Sequence, residues 1–445
     1  MLDLLNMLTF FWLTLWALYA IRLLLAGIRY SILFVFIFHF VFCGTPLLLD
    51  TVFGKPIFIY HEGFQLATRD ELTGWIYCFY VALCPILWWW TGRAGKGKKP
   101  TPESPAPTRD QLHFFRRWRP LFYFLLFSPL LVLTFAPEPS AYLKYAVGTR
   151  RLLSTSARRY HSFILFACKV SLLGAAGLLV TSRRRLYVWT ILLLLPWMFL
   201  AAWLEGKRII VIIILGLIIY VIWRRGLLKR KHFIPVTLLV LLAVGIYSFS
   251  YQAAIRPFSL GAGKRAVLYR NLRKDFGRDD VVKAAIYSEL YPDRLRILEY
   301  RGQSLLFYAT MFVPRDLWPD KPWPYAVYHT SAVLGIPVQY VGWGVATCWL
   351  DEAIANFGWA GLLVGPLLIS LVCRLGDSCR KDYVGLLTVL VAFLLLTVPV
   401  VAFMQIIILW AAAVIAVKWR RWRLFFHCPR ADACTRPTTS FKSQL

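Results

Sequence analysis

Residues 383–417 read YVGLLTVLVAFLLLTVPVVAFMQIIILWAAAVIAV, a run of 35 residues without a charge. At about 1.5 Å per residue a single helix of that length would overshoot the ~30 Å hydrocarbon core of a bilayer. Backbone groups in hydrocarbon must pair within their own segment, so the run reads as two membrane helices divided at Thr397-Val398-Pro399, where proline interrupts the ladder. Carried back along the chain, the template of about 20 apolar residues finds further spans at 8–26, 31–49, 73–91, 120–136, 161–181, 186–204, 209–223, 233–253 and 346–373. The fold class is therefore an all-α polytopic membrane protein of about eleven transmembrane helices with one long, partly helical periplasmic loop.

Composition agrees. Of 445 residues 59% are hydrophobic and 16% charged, against about 45–50% and about 25% in soluble chains. A mean hydropathy of +0.59 cannot be hidden in one soluble core. The nine cysteines lie mostly inside apolar runs with no CxxC and no paired histidines, so neither a disulfide framework nor a zinc site is indicated. Residues 8–26 are too long for a signal-peptide core and have no small-residue cleavage site, which makes them a retained first span.

The 51 basic and 22 acidic residues give a formal charge of +29. If the C-terminus is cytoplasmic, the inner segments 22–30, 92–119, 182–185, 224–232, 374–382 and 418–445 hold 28 of the basic residues and five of the acids. The excess charge is then a positive-inside signal and needs no nucleic acid to explain it. This places the N-terminus and the long loop 254–345 on the outer face of the membrane. Residues 137–160 run against the map: they are basic yet fall outside, and if 120–136 does not cross, the orientation upstream inverts.

Four regions follow: an N-terminal membrane bundle, 1–253, with a flexible Gly-, Pro- and Lys-rich cytoplasmic loop at 92–119; the periplasmic loop 254–345; three C-terminal spans, 346–417; and a basic tail, 418–445. Long structured loops in compact proteins are usually functional. In this one Asp279 or Asp280 can cap a helix to Glu289, and Pro292 can open a second helix to Phe312, with Arg294 and Arg301 on one stripe. VPRDLWPDKPWP, residues 313–324, then fixes an extended or turning backbone that holds Arg315 and Lys321. These cations form either an anion clamp at the membrane surface or the solvated face of a Pro-rich lid.

The next span opens with WLDEAIANFGWAG, residues 349–361, in which Glu352 and Asn356 are one turn apart beside Asp351. Acids at a helix start suit a structural cap, and an ionisable group at membrane depth is equally a functional candidate. Arg208, in the outer hairpin 205–208, either grips a lipid phosphate or snorkels to the interface. Lys169 lies mid-span and is expected to face the bundle interior or a wet cavity, paired with an acid that the sequence does not name.

The order of GKR at 206–208, the long outer loop, VPRDLWPDKP at 313–322, and E-x-x-x-N-F-G-x-x-G at 352–361 resembles the bacterial O-antigen or oligosaccharide repeat-unit polymerases of the Wzy type. The similarity covers about 205–365; the Arg-x10-Gly loop motif of some members is missing here. The resemblance implies a glycosyltransferase that moves a growing glycan from undecaprenyl diphosphate onto a new lipid-linked repeat unit, with a chain-length regulator and a flippase as expected partners. Arg208, Arg301 and Arg315 with Lys321 would stabilise the leaving diphosphate. Glu352 is the first choice of base and His329 the second, although His329 also suits a solvated loop. Trp318 and Trp323 would stack on sugar rings or belong to the interface belt. No cofactor and no metal is expected. An O-antigen ligase shares the donor, and a flippase or other transporter is the rival outside the enzymes.

Overall fold

A computed structural model describes residues 1–28, 30–58, 61–93, 117–143, 154–181, 187–205, 276–379 and 381–427, with the isolated positions 242, 245–247, 250, 269 and 272–273. Among them there is no strand. Six helical segments are long and apolar enough to cross a membrane: Leu2–Leu25, Ile32–Phe53, Glu71–Thr91, Tyr160–Leu179, Trp349–Ser378 and Val400–Trp419. Arg119–Thr134, Trp189–Leu204 and Val384–Thr397 are shorter apolar helices. The expected spans 209–223 and almost all of 233–253 lie outside the described residues.

The first helix shows why these elements suit lipid. Its exposed side is Leu4, Leu8, Phe11, Leu15 and Leu18, whereas Asn6, Thr9, Ala17 and Ala20 are buried. Lipid tails are as apolar as leucine, so burial favours small and polar side chains that let helices approach and pair; here Cys78 Sγ meets Asn6 Oδ1 at 3.2 Å.

Prolines inside the helices decide several long-range contacts. Each withholds the N–H that the carbonyl four residues earlier would accept. Val81 O, left by Pro85, accepts from His39 Nε2 at 3.0 Å. Leu125 O, left by Pro129, accepts from Ser128 Oγ at 2.8 Å. Phe42 O, left by Pro46, accepts from the Arg278 backbone N–H at 3.1 Å. That last bond seats the start of the Asp279–Leu290 helix on a candidate membrane span.

The ends of the spans sort into two groups. Ser31 donates from N and Oγ to Asp377 at 2.9 and 2.6 Å. At the opposite end of the Ile32–Phe53 segment, Asp50 binds Arg273, and Arg278 Nε reaches Thr397 O at 2.9 Å. Thr397 closes the Asp382–Thr397 helix, Val398 is extended, and the second half of the apolar run resumes as Met404–His427, divided at the expected place.

Two expectations need correction. Asp279–Leu290 is a helix, but no helix runs from 292 to 312: the chain turns through 291–302 and only Gln303–Thr310 is helical. Arg296 donates to the carbonyls of Leu298 and Glu299, and Leu295, Ile297 and Leu298 are buried together. Side-chain and core contacts replace the backbone ladder, so Arg294 and Arg301 share no helical stripe. Lys169 is exposed, so of its two expected settings the bundle interior is not the one it takes.

Candidate functional site

The site is built where the Gln303–Thr310 helix meets the Trp349–Phe357 helix. This helix ends at Gly358, whose φ of +62° a side chain would resist, and a Cβ there would sit 3.2 Å from Arg301 Nη2. Gly361 packs so closely on the preceding turn that a Cβ would lie 2.2 Å from Ala353 O. The break lets the short helix carry Asp351, Glu352 and Asn356 at the head of the longer Gly361–Ser378 helix.

Asp351 accepts the Cys348 N–H at 2.7 Å, the helix cap of the structural reading. Glu352 has different partners: Ser304 Oγ donates to Oε1 at 2.7 Å, and the Tyr308 hydroxyl approaches Oε1 and Oε2 at 2.8 and 3.0 Å. Asn356 Nδ2 donates to Ser304 Oγ and to Glu352 O, each at 2.8 Å. Glu352, Ser304 and Asn356 are buried, Tyr308 is half-buried, and no cation pairs with Glu352 among the described residues. Burial, and then the Glu352 carboxylate, push the Tyr308 hydroxyl well above the ordinary tyrosine range. The arrangement is a carboxylate whose hydroxyl donors can pass a proton toward the half-open side. Asp351 Oδ2, Asn356 Oδ1 and the Tyr325 hydroxyl make no hydrogen bond of good geometry within it.

The expected cations behave differently from one another. Arg301 grips Glu289 through both terminal nitrogens, at 2.6 and 2.5 Å, and reaches Ala355 O at 3.0 Å, yet 57% of its side chain is exposed. Arg315 donates to the carbonyls of Pro319, Lys321 and Pro322 and lies 3.6 Å over the Trp323 ring. Lys321 is buried, with Nζ on Met311 O and Val313 O at 2.9 and 2.8 Å. Both therefore hold the 311–323 segment together. Arg208 lies outside the described residues. Trp318 is half-buried, without a ring partner among the described residues.

His329 is fully buried against Phe64 and Tyr325, its Nε2 3.3 Å from Val281 O. Burial lowers its pKa to about 4, so the ring is neutral near pH 7. A pocket of about 390 Å³ opens beside Arg301, bounded by residues 288–301 and by Ala355, one turn beyond Glu352.

Local pattern does not reveal Ser304, Tyr308 and Glu289 as parts of this site, although Ser304 and Tyr308 have the same one-turn spacing as Glu352 and Asn356. It also does not reveal a buried ionic network. Arg273 binds Asp50 at 2.7 Å, Asp279 at 2.6 Å and Asp280 at 2.7 Å, and Lys283 binds Asp279 at 2.7 Å. Burial pushes the Asp279 carboxyl up, but Arg273 and Lys283 together outweigh it and hold the group below the usual range. The chain matches no protein-family model, curated protein or solved structure.

Proposed function

We propose that this chain is a glycosyltransferase that polymerises undecaprenyl-diphosphate-linked oligosaccharide repeat units into O-antigen or exopolysaccharide on the periplasmic face of a bacterial inner membrane. The observation that carries the reading is Glu352: a buried carboxylate held by the Ser304 and Tyr308 hydroxyls, at the head of a candidate membrane span and one turn from a polar pocket rimmed by Arg301.

In the reaction an acceptor hydroxyl forms a bond to the anomeric carbon of the donor glycan. The bond from that carbon to the diphosphate oxygen breaks, and the lipid diphosphate leaves with the electron pair. The hydroxyl proton passes to Glu352, with Tyr308, bonded to both carboxylate oxygens, as the relay. Arg301, more than half exposed, stabilises charge developing on the diphosphate, with Arg208 of the outer hairpin as a second cation. Arg315 and Lys321 contribute by holding the 311–323 segment, where carbonyls accept three hydrogen bonds from Arg315 and two from Lys321. Trp323, covered by Arg315, serves that segment too.

An O-antigen ligase would use the same donor chemistry. The buried network of Asp50, Arg273, Asp279 and Lys283 at the end of a candidate span is the one feature that favours a carrier instead. Reconstituted protein given diphosphate-linked repeat units and offered either a second such unit or a lipid A core separates these. Growth on the repeat unit supports the polymerase, transfer to the core the ligase, and transbilayer movement without bond formation the carrier.

A further inference from the structure

The pocket beside Arg301 has walls of both signs. Glu289, Asp293 and Glu299 supply carboxylates, Arg296 and Arg301 guanidinium groups, and Tyr300 a half-exposed ring. Arg301 is held by Glu289 while more than half of its side chain stays exposed, and Arg296 is engaged by two main-chain carbonyls. Asp293 and Glu299 have no cationic partner among the described residues; Glu299 receives only a 3.4 Å contact from Gln303 Nε2. A diphosphate entering here would face two uncompensated carboxylates, and a polyamine would face two guanidinium groups. A neutral molecule dense in hydroxyls meets neither penalty. Its hydroxyls donate to Asp293 and Glu299 and accept from the arginines, while an apolar ring face lies against Tyr300. The volume, about 390 Å³, falls within the size range of small-ligand sites.

From this geometry we infer that the pocket lined by Asp293, Glu299 and Tyr300 binds the uncharged, hydroxyl-bearing end of a glycan and presents it beside the Glu352 helix. The inference rests on the glycosyl-transfer reading for its role, where it supplies the acceptor, but not for its binding chemistry. Ala355 floors the pocket one turn after Glu352, and Arg301 precedes Ser304 by three residues, so both walls continue into the Glu352 hydroxyl cluster.

The test uses the full chain in lipid nanodiscs and saturation-transfer NMR with the methyl glycosides of galactose, glucose, rhamnose and N-acetylglucosamine as probes. At least one glycoside saturates the unaltered protein. Its affinity falls roughly tenfold in Asp293→Asn/Glu299→Gln, the loss expected when charge-assisted hydrogen bonds become neutral ones. Tyr300→Ala weakens it independently, and neither inorganic pyrophosphate nor spermidine displaces it. No saturation by any of the four, equal saturation in the double variant, or displacement by either charged competitor overturns the inference. Glu352→Gln separates the two ideas. Glycosides still bind to it, and if polymer growth also survives there, the glycosyl-transfer reading fails while the pocket stands.

Discussion

Ser304 donates a hydrogen bond of 2.7 Å to Glu352 across 48 residues of sequence, joining the Gln303–Thr310 helix to the head of a candidate membrane span. The bond places the carboxylate under a roof made by the Gln303–Thr310 helix rather than in open water. Ser304→Ala removes a donor from Glu352 and an acceptor from Asn356, both buried. A loss of about 1–3 kcal/mol is expected, to be read from thermal unfolding in detergent.

Glu352→Gln preserves shape and removes the ability to take up a proton. In cells the variant should insert normally and still display single-unit glycan, while longer chains disappear from a gel of surface polysaccharide. Normal chain length would take Glu352 out of the mechanism.

Arg315 serves three carbonyls and the Trp323 ring at once. Arg315→Ala should therefore destabilise the 311–323 segment by about 1–3 kcal/mol, and Arg315→Lys should restore little, because an ammonium cannot reproduce the planar fork. Limited proteolysis between 313 and 324 measures this. Unchanged cleavage in both variants would show that the guanidinium does not hold the segment.

Arg273 is buried among Asp50, Asp279 and Asp280. Arg273→Met leaves Lys283 as the remaining cation on these carboxylates among the described residues, with the Tyr269 hydroxyl on Asp50, and a loss of about 3–5 kcal/mol follows from stranding buried charge. The expected readout is premature thermal unfolding together with protease cleavage near residue 278, where the Asp279–Leu290 helix leaves its seat on Phe42 O.

His329 titrates near pH 4 in the folded protein against about 6.5 when unfolded. The unfolded state binds the extra proton between these values, so this contribution to stability is intact above pH 6.5 and is lost as the pH falls toward 4, by up to about 3 kcal/mol. His329→Gln should flatten the pH dependence of the unfolding midpoint over that window. An unchanged slope would assign it to other groups.

Orientation has a direct check. An alkaline phosphatase reporter fused after residue 300 should be active, and one fused after residue 93 inactive. The opposite pattern would invert the positive-inside assignment.

The helices were legible because hydrocarbon leaves a backbone little choice. Long uncharged runs must pair their own N–H and C=O groups, so run length and proline mark where a helix starts and stops. Thr397-Val398-Pro399 divides its run as expected, and a helix runs from Asp279, although its N-cap is Arg278 and neither Asp279 nor Asp280 caps it. The 292–312 segment was misread because its apolar spacing fits a helix, while buried leucines and side-chain bonds to carbonyls hold it in turns.

The site was half legible. Glu352 and Asn356 stand out as polar residues at the head of an apolar run, and Arg301 as a loop cation. That Ser304 and Tyr308 bind Glu352, that carbonyls occupy Arg315 and Lys321, and that His329 is enclosed by aromatic rings all depend on contacts between distant segments. What the sequence determined alone is where the chain must be helical and apolar, because lipid enforces that requirement residue by residue. Only the tertiary structure decided which polar groups face one another, because a hydrogen bond depends on positions in space and partners 48 or 223 residues apart leave no periodic trace.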